Sequence, residues 1–231
     1  MSSQTATGFL AGLNDAQQAA VGERIKTAAR SCSALVCASQ RLANRASELN
    51  PAPQRVDTIP CVTAIDKEWR RPVTPMKKAW QKEPIDILFP ADPRRPEKRH
   101  LLALQTGEVM EARGWIVGIT SLRHQPRNIV YDRMLTADVT LITSKREAGP
   151  LVARESLLCG TPVVSVDVGE VARYLPSSWV RAEDPEELAD GIEAALRTGW
   201  REEESVEDRL SFASAETVTQ AWSELLASLV S

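Results

Sequence analysis

The chain has 231 residues, 43% hydrophobic and 26% charged, with a formal net charge of −3. That is the composition of an ordinary globular protein, long enough for one large or two small domains. The slight acidity gives no support for nucleic acid as a partner. No apolar run reaches the length of a membrane span. The start, M-S-S-Q-T-A-T-G-F-L, has neither the basic residues nor the long apolar core of a secretion signal, so a cytoplasmic protein is expected, with peripheral attachment to a membrane left open. Cys32, Cys37, Cys61 and Cys159 have no metal-site spacing and read as reduced thiols. With two histidines, His100 and His124, and no Ser/His/Asp signature, neither a bound metal nor serine-hydrolase chemistry is expected.

Asn14-Asp15 can cap a first helix, running to about Arg30. Ala34–Ala38 reads as a short strand. Ser39 then caps a helix to about Leu49, which Asn50-Pro51-Ala52-Pro53 breaks. Val56–Val62 is a further strand. Residues 70–84, with Arg70, Arg71, Lys77, Lys78, Lys82 and three prolines, have the composition of a linker. Ile85–Phe89 reads as a buried strand, followed by a basic loop containing Arg94, Arg95 and Lys98 and a helix from about Glu97 to Arg113. Three cations at the positive end of a helix oppose its dipole and favour an anion. Trp115–Thr120 is the next strand, Asn128–Leu135 a short helix, and Val139–Thr143 another strand. Toward the end, Trp179–Arg181 reads as a short strand. Asp184-Pro185-Glu186-Glu187 opens a well-signalled helix to about Thr198. A helix follows from about Glu202, and a last one spans Ala215–Leu229.

The densest signals lie between Ser144 and Glu170. Gly149 and Pro150 break the chain after a strand, and proline suits the first helical position. Leu151, Val152, Leu157 and Leu158 give a short helix an apolar face. Gly160 ends that helix where a left-handed residue is wanted. Pro162–Val166 is a second buried strand. Glu147 precedes the helix and Glu155 lies about one turn into it. In an open α/β sheet both face the crevice at the carboxyl ends of the strands. The helix amino terminus suits phosphate, while carboxylates accept hydrogen bonds from vicinal hydroxyls. Spacing alone leaves two readings open: a site for a nucleotide diphosphate sugar, or a solvated loop charge and a helix-surface charge.

The run Ser144, Glu147, Pro150, Glu155, Cys159, Gly160, Pro162, Val163, Val164, Asp167, Gly169 resembles the C-terminal domain of retaining glycosyltransferases of the glycogen-synthase-like family, often called family 4. Ala137, Asp138, Val139 and Ser144 echo the strand before that motif, and Ile59, Pro60, Cys61 the last strand of the family's N-terminal domain. Two positions depart from the pattern: Ala148, with Gly149 next, stands where glycine is usual, and Ser156 replaces an alanine.

The resemblance implies the two-domain GT-B architecture, here α/β with a Rossmann-like parallel sheet. Residues 1–70 would be a partial N-terminal segment, 71–84 a linker, and 85–231 the nucleotide-sugar-binding domain, its tail helix crossing back. It implies retaining transfer of a sugar from a nucleotide-activated donor to a sugar or glycan acceptor, as in polysaccharide biosynthesis, with no cofactor besides that donor. Lys98, Arg94 and Glu147 are the implied catalytic residues, with the arginine register leaving Arg94 and Arg95 as alternatives at the diphosphate. Arg95, Ala148, Gly149, Pro150, Leu151, Val152 and Glu155 are the implied donor-binding residues, with Glu155 on the ribose. The Gly-rich loop and acceptor residues of the first domain have no counterpart in residues 1–30, so a second copy or another chain is expected as a partner. A non-catalytic nucleotide-sugar-binding subunit and a sugar-nucleotide epimerase are the competing readings.

Overall fold

A computed structural model describes residues 20, 23–24, 26–28, 31–49, 52–74, 83–202 and 204–230. It divides into two compact units, Met1–Pro60 with Thr219–Ser231, and Cys61–Val218. The expected helix from Asn14 to Arg30 falls largely outside the described residues, as do positions 75–82 of the expected linker; the described residues from 20 to 31 are all helical.

In the first unit, strands β1 (Leu35–Cys37) and β2 (Val56–Thr58) pair in parallel around the helix Gln40–Ser47. Ser39 starts that helix: its backbone is extended and its hydroxyl accepts from Leu42 N–H at 3.3 Å. β2 stops short of the expected end at Val62. Ile59 N–H still donates to Cys37 O at 2.9 Å, but Pro60 has no N–H for the next rung. Cys37, Ala43 and Ala46 form the small buried cluster of this unit. The Arg55 guanidinium holds Asp57 (2.7 Å) and the Ser228 hydroxyl of the terminal helix Ala215–Val230 (2.7 Å).

The second unit is built on five parallel strands: β3 (Ile85–Phe89), β4 (Val117–Ser121), β5 (Val139–Ile142), β6 (Val163–Val166) and β7 (Val180–Arg181). Their order across the sheet is β4-β3-β5-β6-β7. β5 and β6 read V-T-L-I and V-V-S-V and are buried along their whole length, as strands covered on both faces must be. Asp138 pins the register between β3 and β5, since its carboxylate accepts from Asp86 N–H at 2.8 Å and its own N–H donates to Asp86 O at 3.0 Å. Helices His100–Ala112, Arg127–Thr136, Leu151–Leu158 and Pro185–Thr198 connect and cover the strands. Asp184 caps the last of these as expected, accepting from the N–H groups of Glu186 and Glu187 at 3.0 and 3.2 Å.

Some boundaries differ from those expected. The helix after β3 begins at His100 and not at Glu97. Pro96–Lys98 forms a single 3₁₀ turn, and Arg99 then adopts a left-handed conformation with φ 51°. Pro150 occupies the cap rather than the first turn of the helix Leu151–Leu158. The strand expected at Trp115 starts at Val117, and the helix expected at Glu202 starts at Val206, where Ser205 accepts from Asp208 N–H at 3.1 Å.

Candidate functional site

The sheet reverses its winding between β3 and β5. From β3 the chain crosses to β4 on one side; from β5 it proceeds to β6 and β7 on the other. The loops leaving the carboxyl ends of β3 and β5 therefore diverge and open a crevice, where ligands of open α/β sheets bind. Arg94, Arg95, Lys98, Glu147 and Glu155 all lie on these loops or on the helix that follows β5.

Partly buried hydrogen bonds join the two loops. Thr143, fully buried at the end of β5, donates from its hydroxyl to Lys98 O at 2.7 Å and approaches Arg99 O at 3.1 Å. Arg99 returns a bond from Nε to Thr143 O at 2.6 Å, and Lys145 N–H donates to Glu97 O at 2.8 Å. The left-handed backbone of Arg99, costly for a side chain of that size, is held by these contacts. The result is that Lys98 on one loop and Glu147 on the other form an ion pair, both side chains about four-fifths shielded from solvent at 16% and 17% exposure.

A third loop supports Glu147. Asp167 to Glu170 turns after β6 with Gly169 at φ +61°, and a Cβ there would lie 3.0 Å from Pro150 Cδ and 3.4 Å from Ala148 O and Glu147 O. Ala148, Gly149 and Pro150 thus run against this turn before Leu151 and Val152 open the helix. No side chain caps that helix at Pro150.

Arg94 and Arg95 are placed differently from Lys98. Arg94 forms an ion pair with Asp92 at 2.7 Å and is 60% exposed, and Arg95 pairs with Glu97 at 2.5 Å and is 58% exposed. The bonds from Arg94 hold the Asp92 carboxyl well below the usual carboxylate range. Both arginines lie before the 3₁₀ turn, not at a helix end.

Glu155 is the largest departure from the sequence reading. It is 1% exposed and so is not a solvated helix-surface charge. Its Oε1 accepts from Arg127 at the start of the helix Arg127–Thr136, while Oε2 is buried with no hydrogen-bond partner among the described residues. Burial raises the Glu155 carboxyl above its ordinary value, and attraction to Arg127 opposes that without cancelling it. Arg127 was not foreseen: it stands 28 residues away from Glu155, inside no motif. An arginine beside a carboxylate on the next helix leaves no local signal.

The helix Leu151–Leu158 carries further buried polar groups. Ser156 Oγ lies 2.9 Å from Thr140 Oγ1 of β5, so the serine found where alanine is usual has its partner inside the core. Arg154 is 3% exposed and donates to Cys61 O at 3.2 Å; burial draws its guanidinium downward. Cys159 is pushed up to about 12 by burial, so it is a packed thiol and not a nucleophile. A shallow hollow of about 610 Å³ touches Arg95, Pro96, Arg99, His100, Leu101 and Glu183, but neither Lys98, Glu147 nor Glu155 lines it. Among the described residues no group of three His, Cys, Asp or Glu side chains could hold a metal ion, and no helix is long and apolar enough to cross a membrane.

Comparison with known proteins agrees with this architecture. Residues 107–210 match the family model described as Glycosyl transferases group 1. That stretch contains Glu147 and Glu155, and Lys98 lies just before it. A D-inositol 3-phosphate glycosyltransferase of Streptosporangium roseum is 35% identical over 82 residues, 33% of this chain and 19% of the relative. Among solved structures, a sucrose-phosphate synthase from Thermosynechococcus elongatus superposes with a TM-score of 0.61 at 18% identity, covering 100% of this chain and 64% of that one. A TarM mutant of S. aureus, solved with fondaparinux, alpha-GlcNAc-glycerol and UDP, gives 0.62 at 14% identity, covering 92% and 48%. The chain thus spans about half to two-thirds of those structures, and its match covers 19% of the curated relative. The family match thus covers somewhat less than half of the chain, and the α/β fold with its five-stranded parallel sheet matches these GT-B glycosyltransferase structures.

Proposed function

We propose that this chain binds a nucleotide-activated sugar in the crevice between the β3 and β5 loops and acts as the donor-binding part of a retaining glycosyltransferase. The observation that carries this reading is the Lys98–Glu147 ion pair, a cation and a carboxylate from two diverging loops meeting at the point where the sheet reverses. An ammonium has three donors. Lys98 can therefore take up a diphosphate oxygen while still steering Glu147, whose remaining acceptor capacity goes to the hydroxyls of the donor sugar. Glu155 would accept from the ribose hydroxyls, and the helix amino terminus at Leu151 and Val152 adds partial positive charge near the phosphates. Transfer would be driven by stabilising the departing diphosphate electrostatically. Lys98 supplies the shielded charge, and Arg94 or Arg95 a mobile one after exchanging Asp92 or Glu97 for phosphate. The acceptor would be held by residues outside this crevice, on the same polypeptide, a second copy or another partner chain.

Calorimetry with UDP, GDP and ADP, each against its nucleoside, tests the assignment. Lys98→Ala is expected to weaken diphosphate binding by about 1.5–3 kcal/mol, as for loss of a charge-assisted bond, and to leave the nucleoside nearly unaffected. Equal losses for both ligands would place Lys98 away from the phosphates. Glu155→Gln keeps the volume and removes the charge, so it should weaken a ribonucleotide more than its 2′,3′-dideoxy counterpart. A turnover assay with nucleotide sugar and acceptor then separates a transferase from a binding subunit.

A further inference from the structure

The Arg127 guanidinium is anchored on three sides. Its Nε donates to Tyr131 Oη at 2.9 Å, its carbon lies 5.1 Å from the centre of the Tyr131 ring, and one terminal nitrogen donates to Glu155 Oε1. Tyr131 is itself buried against Trp69, with ring centres 5.6 Å apart. The placement is not explained by the helix. Arg127 is the first residue of the helix Arg127–Thr136, at the positive end of its dipole, and Pro126 before it provides no side-chain cap. A cation there opposes helix formation, and the Glu155 carboxylate is what offsets it. Arg127 is 60% exposed and Glu155 2%, so the arginine stands on the solvent side of a carboxylate whose second oxygen is desolvated and unpartnered. A buried acceptor in that condition favours any donor brought to it.

Building on the assignment of Glu155 to the ribose, we propose that Arg127 is a positioning residue for nucleotide recognition: held by Tyr131, it fixes one oxygen of the Glu155 carboxylate and so orients the other toward the ribose hydroxyls. The charged and titratable groups around that carboxylate are Arg127 and Tyr131 from the helix packed on it, Arg154 on its own helix, and Cys159 just beyond that helix. Arg127 acts through Glu155 and not on the substrate. Burial already raises the carboxyl, and Arg127 is the main group opposing it. Only the ionised form accepts two hydroxyl donors. Affinity for a ribonucleotide therefore falls as pH drops through the Glu155 pKa, and without Arg127 that fall begins at a higher pH.

The experiment is calorimetric titration of the whole chain with the tightest of UDP, GDP and ADP and with its 2′,3′-dideoxy form, between about pH 5.5 and 8.5, a range set by the ordinary and buried carboxyl values. Arg127→Gln should cut the preference for the ribonucleotide by roughly tenfold at the acid end, the equivalent of one unit of pKa, and regain much of it at the alkaline end. Arg127→Lys, which keeps the charge, should retain the wild-type pH profile, and it serves if the glutamine variant folds poorly. A preference that drops equally at every pH, or that does not drop, would overturn the role of Arg127. If the wild-type chain does not prefer ribose over dideoxyribose, the assignment of Glu155 falls, and this proposal with it. A wild-type preference with unaltered variants removes the proposal alone.

Discussion

Thr143 shows how much the crevice depends on single side chains away from any ligand. Its hydroxyl, fully buried, is bonded to Lys98 O and lies close to Arg99 O, so it holds the Lys98 turn against the end of β5. Thr143→Val is nearly isosteric and removes these bonds, leaving partly buried carbonyls less satisfied at a cost of about 1–3 kcal/mol. The position of the ammonium also becomes less defined. The expected outcome is a lower melting temperature together with a larger loss for a nucleoside diphosphate than for the nucleoside, read by thermal unfolding and calorimetry. A stability loss with diphosphate affinity intact would show that the Lys98–Glu147 pair sets the turn without help from Thr143. Glu155 obeys a different balance: desolvation outweighs the pull of Arg127 on its carboxyl. A group with a folded pKa raised in this way contributes most to stability at acid pH and less as pH rises through that value, so Glu155 itself makes the fold slightly less stable at neutral pH, a cost borne by a residue kept for its charge.

At the scale of elements, two glycines set the ends of the helix Leu151–Leu158. Gly160 terminates it with φ +84°, and an added Cβ would lie 2.7 Å from Arg71 Cβ and 3.0 Å from Pro72 O, a clash with backbone that cannot swing aside. Gly169 presses on the amino end through Pro150. Gly169→Ala should cost about 1–3 kcal/mol for the left-handed conformation and also lower nucleotide affinity, because the displaced contacts are the backbone of Glu147 and Ala148. Asp184→Ala is the contrast. Loss of that cap should cost about 0.5–2 kcal/mol, with nucleotide affinity unaltered. If both variants reduce affinity in proportion to stability, the turn at Gly169 is not a specific support of the site. These helix ends were legible in the sequence because caps, proline and left-handed glycine act within four or five residues: Ser39, Asp184 and Gly160 stand where their chemistry requires. The start of the helix at His100 was not, since Arg99 is held left-handed by Thr143, 44 residues away. The motif carrying Glu147 and Glu155 was legible in spacing. The burial of Glu155, its dependence on Arg127 and the meeting of Lys98 with Glu147 were not, because each follows from which strands lie side by side.

Across the whole molecule the two units differ in what holds them together. In the first, two three-residue strands and the helix Gln40–Ser47 pack around Cys37, Ala43 and Ala46, side chains that bury little apolar area. The second packs both faces of its sheet, with Ile87, Leu88, Val139, Leu141, Val163 and Val164 fully buried. Short strands with a small core open at low free energy, whereas central strands open only on global unfolding. Amides of Leu35–Cys37 and Val56–Thr58 should therefore exchange with solvent faster than those of Val139–Ile142 and Val163–Val166, on the order of a hundredfold or more. A nucleoside diphosphate adds a second test, because everything assigned to the donor lies in Cys61–Val218. It should slow exchange at residues 96–99 and 143–150, where backbone bonds tie the two loops together, and leave 35–58 as they were. Deuterium uptake followed by mass spectrometry reads both effects in one sample. Equal protection of the two units without nucleotide would mean that they unfold as one cooperative block. Slowing at 35–58 and not at the loops would move the donor site out of the crevice altogether.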